Sequence, residues 1–559
     1  MNKIYFLLAT VLLSVSSKTF SQTLPVGLLD NMEDNLRRQQ LLGNDSSKAS
    51  FMIRPLGIPS RSNVLLDAGS NISLDNFRKK VYSSAAGFSE VYLLPVTWNQ
   101  QINSHHPYGW NDGSMIQSKG YQTQLSAGIF AKFGPLSIQL RPEYVYAANK
   151  GFRQLYEAGN SEGFVNKYIT EIYNQIDLPD RFGDKPYSRA SWGQSSVRLT
   201  FDPVSIGLSN ENLWWGPGIR SSLLMSNNAS GFKHLTLNTT RPINTPIGSF
   251  ETQIIAGRLE DSGVPTIQRV AVKKGPNDWR YLSGIAFTYH PKWVPNLHIG
   301  FDRTFTVYHT DMGSKFGDYF PLFGSLEKKD ISDGSTNEDA RKRDQYASFF
   351  ARWVMPESHS EVYLQYGRND HPYNLRDALS EPEHSRAYVA GFRKLVPLSK
   401  EDEFIQVGIE LTQLEGARTG SGREQPIWYA HYQVQSGYTN NGQVLGAGIG
   451  PGSNLQSADV SWVKGLKRIG LQIERLVNNN DLYYLAVADS RRRWIDLSFT
   501  GKFDWTFKNF VFNSQLALIH SNNYQYTAKD LGITRPTFWK WDYQDINNIH
   551  LKVGVLYNW

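Results

Sequence analysis

The sequence contains no cysteine among its 559 residues. Disulfide-stabilised scaffolds, thiolate metal sites, a cysteine nucleophile and a lipid-modified N-terminal cysteine are therefore excluded. Long apolar runs are scarce too, since the only one lies at the extreme N-terminus. A helical membrane protein needs spans of about 20 apolar residues, so a helical transporter is excluded as well.

Charged residues are also few, at 19% of the chain, with 58 Lys and Arg against 51 Asp and Glu. A nucleic-acid-binding surface needs a concentrated basic patch, and this small excess is spread over the whole chain. Aromatic residues, in contrast, make up 13%, and there are 46 glycines. This aromatic content is too high for a disordered chain. We therefore expect a folded protein that does not bind nucleic acid.

The N-terminus is typical of an export signal. A basic residue precedes an apolar stretch from Ile4 to Val15, and small residues at Thr19 and Ser21 match a cleavage site. An uncleaved anchor helix is the alternative, but this stretch is too short to cross a bilayer of about 30 Å comfortably. We predict a signal peptide over residues 1–21.

Apolar and polar residues alternate at period two through most of the remaining chain. Apolar residues occupy every second position from Ile405 to Leu411, and Gln406 and Glu410 lie between them. Such a segment is a β-strand with one apolar and one polar face. The same alternation recurs in three further segments, 136–141, 495–503 and 549–559. Many long alternating strands in an exported protein favour a membrane barrel with an apolar outer surface and a polar lumen.

The fold class predicted from these patterns is all-β, a transmembrane antiparallel β-barrel of about 18 strands over residues 88–559. Short connections alternate with long ones, as periplasmic turns and extracellular loops do in outer-membrane barrels. About 20 segments qualify as strands, and the two weakest are 204–209 and 443–448. Residues 22–87 form an N-terminal segment, which we expect to be periplasmic and to contain a short amphipathic helix.

Three long polar segments are expected to lie on the extracellular side if the last strand runs towards the periplasm. These are 310–344, 478–493 and 521–548. The segment from Trp214 to Phe232 lies between candidate strands and could fold inward as a plug.

Most of the residues that could carry chemistry have simpler explanations. His105 and His106 lack a third metal ligand nearby, and the glycine-rich run 446–452 lacks the strand–turn–helix context of a phosphate site. Asn478 to Asp481 could bind a hard cation through oxygen atoms, although a solvated turn is favoured. We predict no catalytic residue, no metal site and no cofactor.

One basic and aromatic cluster is a candidate polysaccharide site. It consists of Arg491, Arg492, Arg493, Tyr483, Tyr484 and Trp494. Arginine pairs with carboxylates through two parallel hydrogen bonds, and flat aromatic rings can lie against sugar rings. An aromatic girdle at the membrane interface, with arginines facing lipid head groups, explains the cluster equally well.

The segment Glu211-Asn212-Leu213-Trp214-Trp215-Gly216-Pro217-Gly218 resembles the Wzi family of capsule assembly proteins. Similar motifs are found along most of the chain, at 110–113, 119–120, 133–135, 141–143, 221–232, 248–251, 256–259 and 450–454. The resemblance implies an 18-stranded outer-membrane barrel with a small periplasmic helical part. It also implies a non-enzymatic, lectin-like role in holding capsular or extracellular polysaccharide at the cell surface.

Two other functions remain open at this point. The first is a porin or channel for oligosaccharides, and the second is an outer-membrane hydrolase of lipid or glycan. For the favoured function, the expected partners are the polysaccharide, outer-membrane lipid and the machinery that inserts barrels, and the chain is expected to be a monomer. A terminal aromatic, Trp559, fits recognition by that machinery.

Overall fold

The computed structural model describes residues 23–27, 30–44, 49–57, 78–85, 87–158, 160–267, 275–323, 342–369, 375–400, 402–418, 425–487, 489, 491–529 and 542–559. The predicted signal peptide and the centre of the 310–344 loop lie outside these residues. The described chain forms an 18-stranded antiparallel barrel, which confirms the predicted fold class. The barrel closes where its last strand pairs with its first, from His550 opposite Asn103 to Tyr557 opposite Val96.

The first nine strands of the wall are β1 (Ser89–Asn103), β2 (Gly120–Phe133), β3 (Leu136–Leu140 and Glu143–Ala147), β4 (Tyr187–Ser191 and Ser196–Phe201), β5 (Val204–Ser209), β6 (His234–Thr239 and Ile243–Thr245), β7 (Gly248–Leu259), β8 (Arg280–Pro291) and β9 (Leu297–Tyr308). The other nine are β10 (Asp344–Met355), β11 (Ser360–Asn369), β12 (Arg386–Pro397), β13 (Phe404–Gln413), β14 (Asn454–Lys464), β15 (Lys467–Val477), β16 (Ile495–Phe507), β17 (Phe510–Asn522) and β18 (Ile546–Tyr557). Strands β3 and β6 are interrupted beside Pro142 and Pro242, because proline has no N–H to donate to the neighbouring strand.

Of the two weak candidates, 204–209 is therefore part of the wall and 443–448 is not. Only Gln443–Val444 is extended there, and it pairs with Thr439–Asn440 inside the barrel. Glycine explains this use of the segment. A Cβ at Gly446 would collide with the carbonyl oxygen of Leu223, so the glycine allows two inward-folded loops to touch.

The two ends of the barrel differ in the length of their connections. At one end, here called the turn end, β16 and β17 are joined by two residues, as are β14 and β15. At the opposite end, here called the loop end, the connection from β13 to β14 spans 414–453 and that from β3 to β4 spans 148–186. In outer-membrane barrels the short turns face the periplasm and the long loops face outward.

The outside of the wall is apolar and the inside is polar, as the alternation predicted. Leu208, Phe349 and Leu518 are each more than half exposed on the outside. Gln406 and Glu410, which point inward from β13, are almost completely buried. Lipid can therefore cover the outer surface without contacting unpaired polar groups.

Five α-helices accompany the barrel in the described residues: α1 (Asp30–Leu41), α2 (Glu162–Tyr168), α3 (Phe316–Tyr319), α4 (Leu375–Ser380) and α5 (Asn480–Ala486). None of the described helices is long and apolar enough to cross a membrane.

Helix α1 corresponds to the predicted amphipathic helix and lies inside the turn end of the barrel. Its last residue, Leu41, packs against Val354, Leu395 and Val463 of the wall. Beside this contact, Arg38 donates to the carbonyl of Gly465 in the turn between β14 and β15 at 2.6 Å. The helix therefore closes the lumen from the side of the short turns.

Charged side chains fix helix α1 to the wall. Glu361 on β11 accepts from Arg37 of the helix at 2.8 Å and from Arg352 on β10 at 2.7 Å. Asp34 of the helix pairs with Arg393 on β12 at 2.6 Å and with Arg38 one turn further along. Because these groups are buried, each charge depends on its partners.

The segment from Trp214 to Phe232 folds inward and fills the middle of the lumen. Trp215 and Leu223 are completely buried, and the backbone N–H groups of Ile219, Arg220 and Ser221 donate to the carboxylate of Glu410. Wall and plug thus hydrogen-bond to each other, and the described residues form a packed core inside the barrel.

Candidate functional site

A cavity of about 240 Å³ lies at the loop end, above the packed core. Six of the connections at the loop end contribute to it, so its walls come from widely separated parts of the chain. Among the residues that line it are Phe152, Phe182, Val444, Ile449 and Tyr524. A concave, mostly apolar cavity with a few polar groups is the usual form of a small-ligand site.

Three aromatic side chains line the cavity on the side of the β16 and β17 strands. Trp494 meets the edges of Tyr524 and Tyr526, with ring centroids 5.0 and 5.8 Å apart. The indole N–H of Trp494 donates to Asp496 at 2.9 Å, and the Tyr526 hydroxyl donates to the Asn478 carbonyl at 2.9 Å. These bonds hold the rings in fixed orientations.

The opposite rim is formed by helix α2 and the chain that follows it. The helix begins after Ser161, whose hydroxyl accepts from the Phe164 N–H and so caps the first turn. Asp180 accepts from the Leu155 N–H at 3.2 Å and from the Tyr168 hydroxyl at 3.5 Å. Burial raises the pKa of Asp180, because its charged form loses hydration.

His106 also lines the cavity, and its ring lies 4.6 Å from that of Tyr524. Burial lowers its pKa to about 3, so the imidazole is neutral at physiological pH. The described residues contain no group of three or more His, Asp or Glu side chains that could hold a metal ion.

The structure separates the residues of the predicted arginine cluster. Arg491 is buried and pairs with Asp489 at 2.7 Å. Arg492 donates to the Tyr526 carbonyl and to Asn160, both at 2.9 Å. Tyr483 is buried, with its ring edge towards Tyr484. Arg491 is therefore paired within its own loop, whereas Arg492 joins its loop to two others.

Arg493 and Tyr484 are more accessible, and a third residue joins them. Tyr484 is 44% exposed, and Arg493 donates to its hydroxyl at 2.6 Å. The guanidinium of Arg418 lies 3.1 Å from the centroid of the Tyr484 ring, on the loop that follows β13. Arg418 is distant in the sequence and belongs to no recognisable motif, so no sequence signal pointed to it. We call Arg418, Tyr484 and Arg493 the arginine patch.

The turn predicted at Asn478 to Asp481 is instead the start of helix α5. Asn479 caps it, since its side chain accepts from the Leu482 N–H at 3.0 Å. Asp481 in the first turn accepts from the Gly416 N–H at 3.0 Å. Burial raises the pKa of Asp481 to about 6, although the Gly416 N–H and Arg418 act in the opposite direction.

The family model described as capsule assembly protein Wzi matches residues 100–508. This is well over half of the chain and includes β2 to β16 entirely. The chain belongs to the Wzi family. The resemblance at Trp214 to Gly218 is therefore confirmed, and that Wzi-family segment forms the plug between Glu410 and the core.

A solved structure from Escherichia coli supports the Wzi architecture. Its title describes Wzi, an outer-membrane protein involved in group 1 capsule assembly, as a carbohydrate-binding β-barrel. The two structures share a TM-score of 0.58 at 12% identity, over 97% of this chain and 100% of that one. At this identity the similarity concerns the fold. No curated protein matches the chain in sequence.

More distant matches are porin-like barrels. A BenF-like porin from Pseudomonas fluorescens Pf-5 has a TM-score of 0.36 at 8% identity, covering 84% of this chain and 99% of that one. OccAB2 from Acinetobacter baumannii has a TM-score of 0.39 at 10% identity, covering 83% and 97%. This Wzi-family chain is an outer-membrane barrel with a capsule-related role.

Proposed function

We propose that this protein attaches or assembles capsular or extracellular polysaccharide at the cell surface, as a non-enzymatic, lectin-like barrel. The aromatic cavity above a filled lumen is the observation that supports binding most directly. It offers a surface for sugar rings on the side where long loops meet the outside. Membership of the Wzi family supports polysaccharide as the ligand class.

The predicted cluster of Arg491, Arg492, Arg493, Tyr483, Tyr484 and Trp494 remains our proposal for the surface that contacts acidic sugars. Two of its members, Tyr484 and Arg493, form the arginine patch together with Arg418. An exposed ion pair is worth less than about 1 kcal/mol, so one contact holds a polymer poorly. Several repeating units that engage at once can add through multivalency.

The protein acts as a monomer embedded in outer-membrane lipid in this proposal. The barrel-insertion machinery recognises its last strand, which ends with an aromatic residue. Each copy has its own loop-end surface, and many copies on one cell hold the same long polymer.

A porin or channel for oligosaccharides is the alternative function. The buried segment around Trp215 and Leu223 argues against it, because solutes would need to displace a packed core. Conductance in planar bilayers tests this alternative. Stable, open single-channel steps would favour the porin.

The decisive experiment compares polysaccharide on cells with and without the gene. We expect deletion to move polysaccharide from the cell-bound to the released fraction, with total production unchanged. Restoring the wild-type gene on a plasmid reverses the change. An unchanged ratio in the deletion strain would contradict the proposal.

A further inference from the structure

The loop-end cavity differs from the arginine patch in its charge. Among the described residues that line it, none is a lysine or an arginine, and His106 is neutral. Asp180 contributes one carboxylate at the rim. A second carboxylate in this cavity would be poorly hydrated and without a cation, which is unfavourable.

The size and lining of the cavity indicate a single ring. Its volume of about 240 Å³ is below the roughly 300–1,000 Å³ of sites for drug-sized ligands. Aromatic side chains, including Tyr168, Tyr173, Tyr524 and Tyr526, form much of its surface. A pyranose presents a face of C–H groups that packs against the negatively polarised face of an aromatic ring.

One hydroxyl in the cavity has no internal partner. The Tyr524 side chain is 3% exposed and lines the cavity, yet its hydroxyl makes no hydrogen bond to a described residue. By contrast, the Tyr526 hydroxyl bonds to the carbonyls of Asn478 and Asn479, and that of Tyr168 reaches Asp180. Buried hydroxyls are normally satisfied, so the Tyr524 hydroxyl is available to a ligand.

We infer that this cavity is a subsite for one uncharged pyranose of the polysaccharide, bound through the Tyr524 hydroxyl and the surrounding aromatic rings. The inference rests on the proposed function and divides recognition between two places. The cavity takes a neutral sugar, and the arginine patch takes an acidic one. The protein thereby recognises both a neutral and an acidic sugar of the same repeating unit.

Saturation-transfer NMR on the full-length barrel in detergent tests this inference. The probes are sugars released by hydrolysis from the polysaccharide of the same cells, separated into neutral and acidic fractions. We expect signal transfer to the neutral fraction. In Tyr524→Phe, the loss of one hydrogen bond should weaken binding about two- to tenfold, since the ring and its packing remain.

A second variant fills the cavity. Leu178 lines it from a partly exposed position, so Leu178→Trp should abolish signal transfer to the neutral fraction. Tyr319→Phe and Leu379→Trp are matched controls, because both residues are exposed on helices at the loop end outside the cavity. These controls should bind as the wild type does, and heat-modifiable gel mobility confirms that every variant is folded.

The outcomes separate this inference from the proposed function. Three outcomes would overturn the neutral subsite. The first is signal transfer to the acidic fraction that is abolished in Leu178→Trp, and the second is transfer to neither fraction. The third is wild-type binding by both cavity variants. If gene deletion still releases polysaccharide from cells, the proposed function stands while the subsite fails. If deletion leaves polysaccharide on cells, the proposed function itself fails.

Discussion

The turn end and the loop end of this barrel differ in how their buried polar groups are paired. At the turn end, Glu361 is completely buried, and Arg37 and Arg352 both donate to it. At the loop end, Tyr524 is nearly as buried but offers an unpaired hydroxyl to a cavity. Charged groups that pair with one another hold the seal together, whereas a hydroxyl without an internal partner is available to bind a ligand.

Two aspartates outside the membrane-spanning strands show the same contrast. Burial alone would raise the pKa of Asp34 in helix α1, but Arg393, Arg38 and Arg468 outweigh it and hold the pKa well below its usual value. Burial dominates at Asp481 in helix α5, where the pKa rises to about 6. The turn end is therefore held together by charge, and the loop end tolerates protonation.

The largest effect is expected from breaking the barrel seam at the turn end. The indole N–H of Trp559 donates to the Leu94 carbonyl at 2.8 Å, and Tyr557 packs on Phe510 at 5.0 Å. Deleting residues 557–559 should strongly lower the amount of folded protein in the outer membrane. Heat-modifiable mobility of outer-membrane fractions measures it, with Trp293→Ala, an exposed aromatic at the same end, as the control. Normal levels of the truncated protein would show that neither barrel closure nor recognition by the insertion machinery needs these residues.

The next effect is expected from removing the shared carboxylate of the seal. Glu361→Gln leaves Arg37 and Arg352 buried without their counter-charge, and breaking a buried pair costs about 3–5 kcal/mol. The urea midpoint of the barrel in detergent should fall accordingly. Asp202→Asn is the control, because its pair with Arg241 is largely exposed and worth less than about 1 kcal/mol. Equal losses in both variants would contradict the difference we draw between sealed and exposed pairs.

A pH effect is expected at the loop end. The pKa of the Asp481 carboxyl is 3.8 in the unfolded chain and about 6 in the folded protein. Protonation of this group therefore stabilises the folded loop. This contribution is fully present below pH 3.8 and is lost as the pH rises through 6, by up to about 3 kcal/mol. Hydrogen exchange of helix α5 should therefore be faster at pH 7 than at pH 4.5, after correction for the intrinsic rate. Asp481→Asn should flatten this dependence, and a variant with the wild-type profile would remove Asp481 as its source.

The smallest effect is expected at the arginine patch. Replacing Arg418 and Arg493 together by glutamine removes two accessible charges and should release a few-fold more polysaccharide from cells at matched protein level. Arg376→Gln changes an exposed arginine of helix α4 at the same end and serves as the control. We expect added salt to release polysaccharide from wild-type cells as well, because exposed charges are screened. If the double variant and the control retain equal amounts, the patch is not part of the binding surface.

The wall of the barrel was predictable because strand alternation is a local property. Each inward or outward position follows from its neighbours two residues away, and residues 204–209 form a wall strand despite a weak pattern. Segment 443–448 is not a wall strand because of a contact with a distant part of the chain. Gly446 allows the backbone to contact the plug at Leu223, and the alternation of apolar and polar residues carries no information about that contact.

The binding surface was only partly predictable, because the hydrogen-bond partners of each arginine decide whether its charge is available to a ligand. Arg492 is occupied by Asn160 and by the Tyr526 carbonyl, which come from loops far from it in the sequence. Arg418 reaches Tyr484 from the loop after β13. In the run of three arginines, Arg491 is buried and Arg492 is tied to other loops, which leaves Arg493 beside Tyr484.

The sequence by itself determined the barrel, its polar lumen and its family, because hydrophobic alternation and the motif around Trp214 and Trp215 are carried by adjacent residues. Only the tertiary structure decided that the lumen is filled and that a cavity remains at the loop end. Tyr168 and Asp180, Ile449, and Tyr524 come together there from three separate loops. Which buried polar groups find a partner depends on that convergence, and so does the difference between the seal and the proposed binding site.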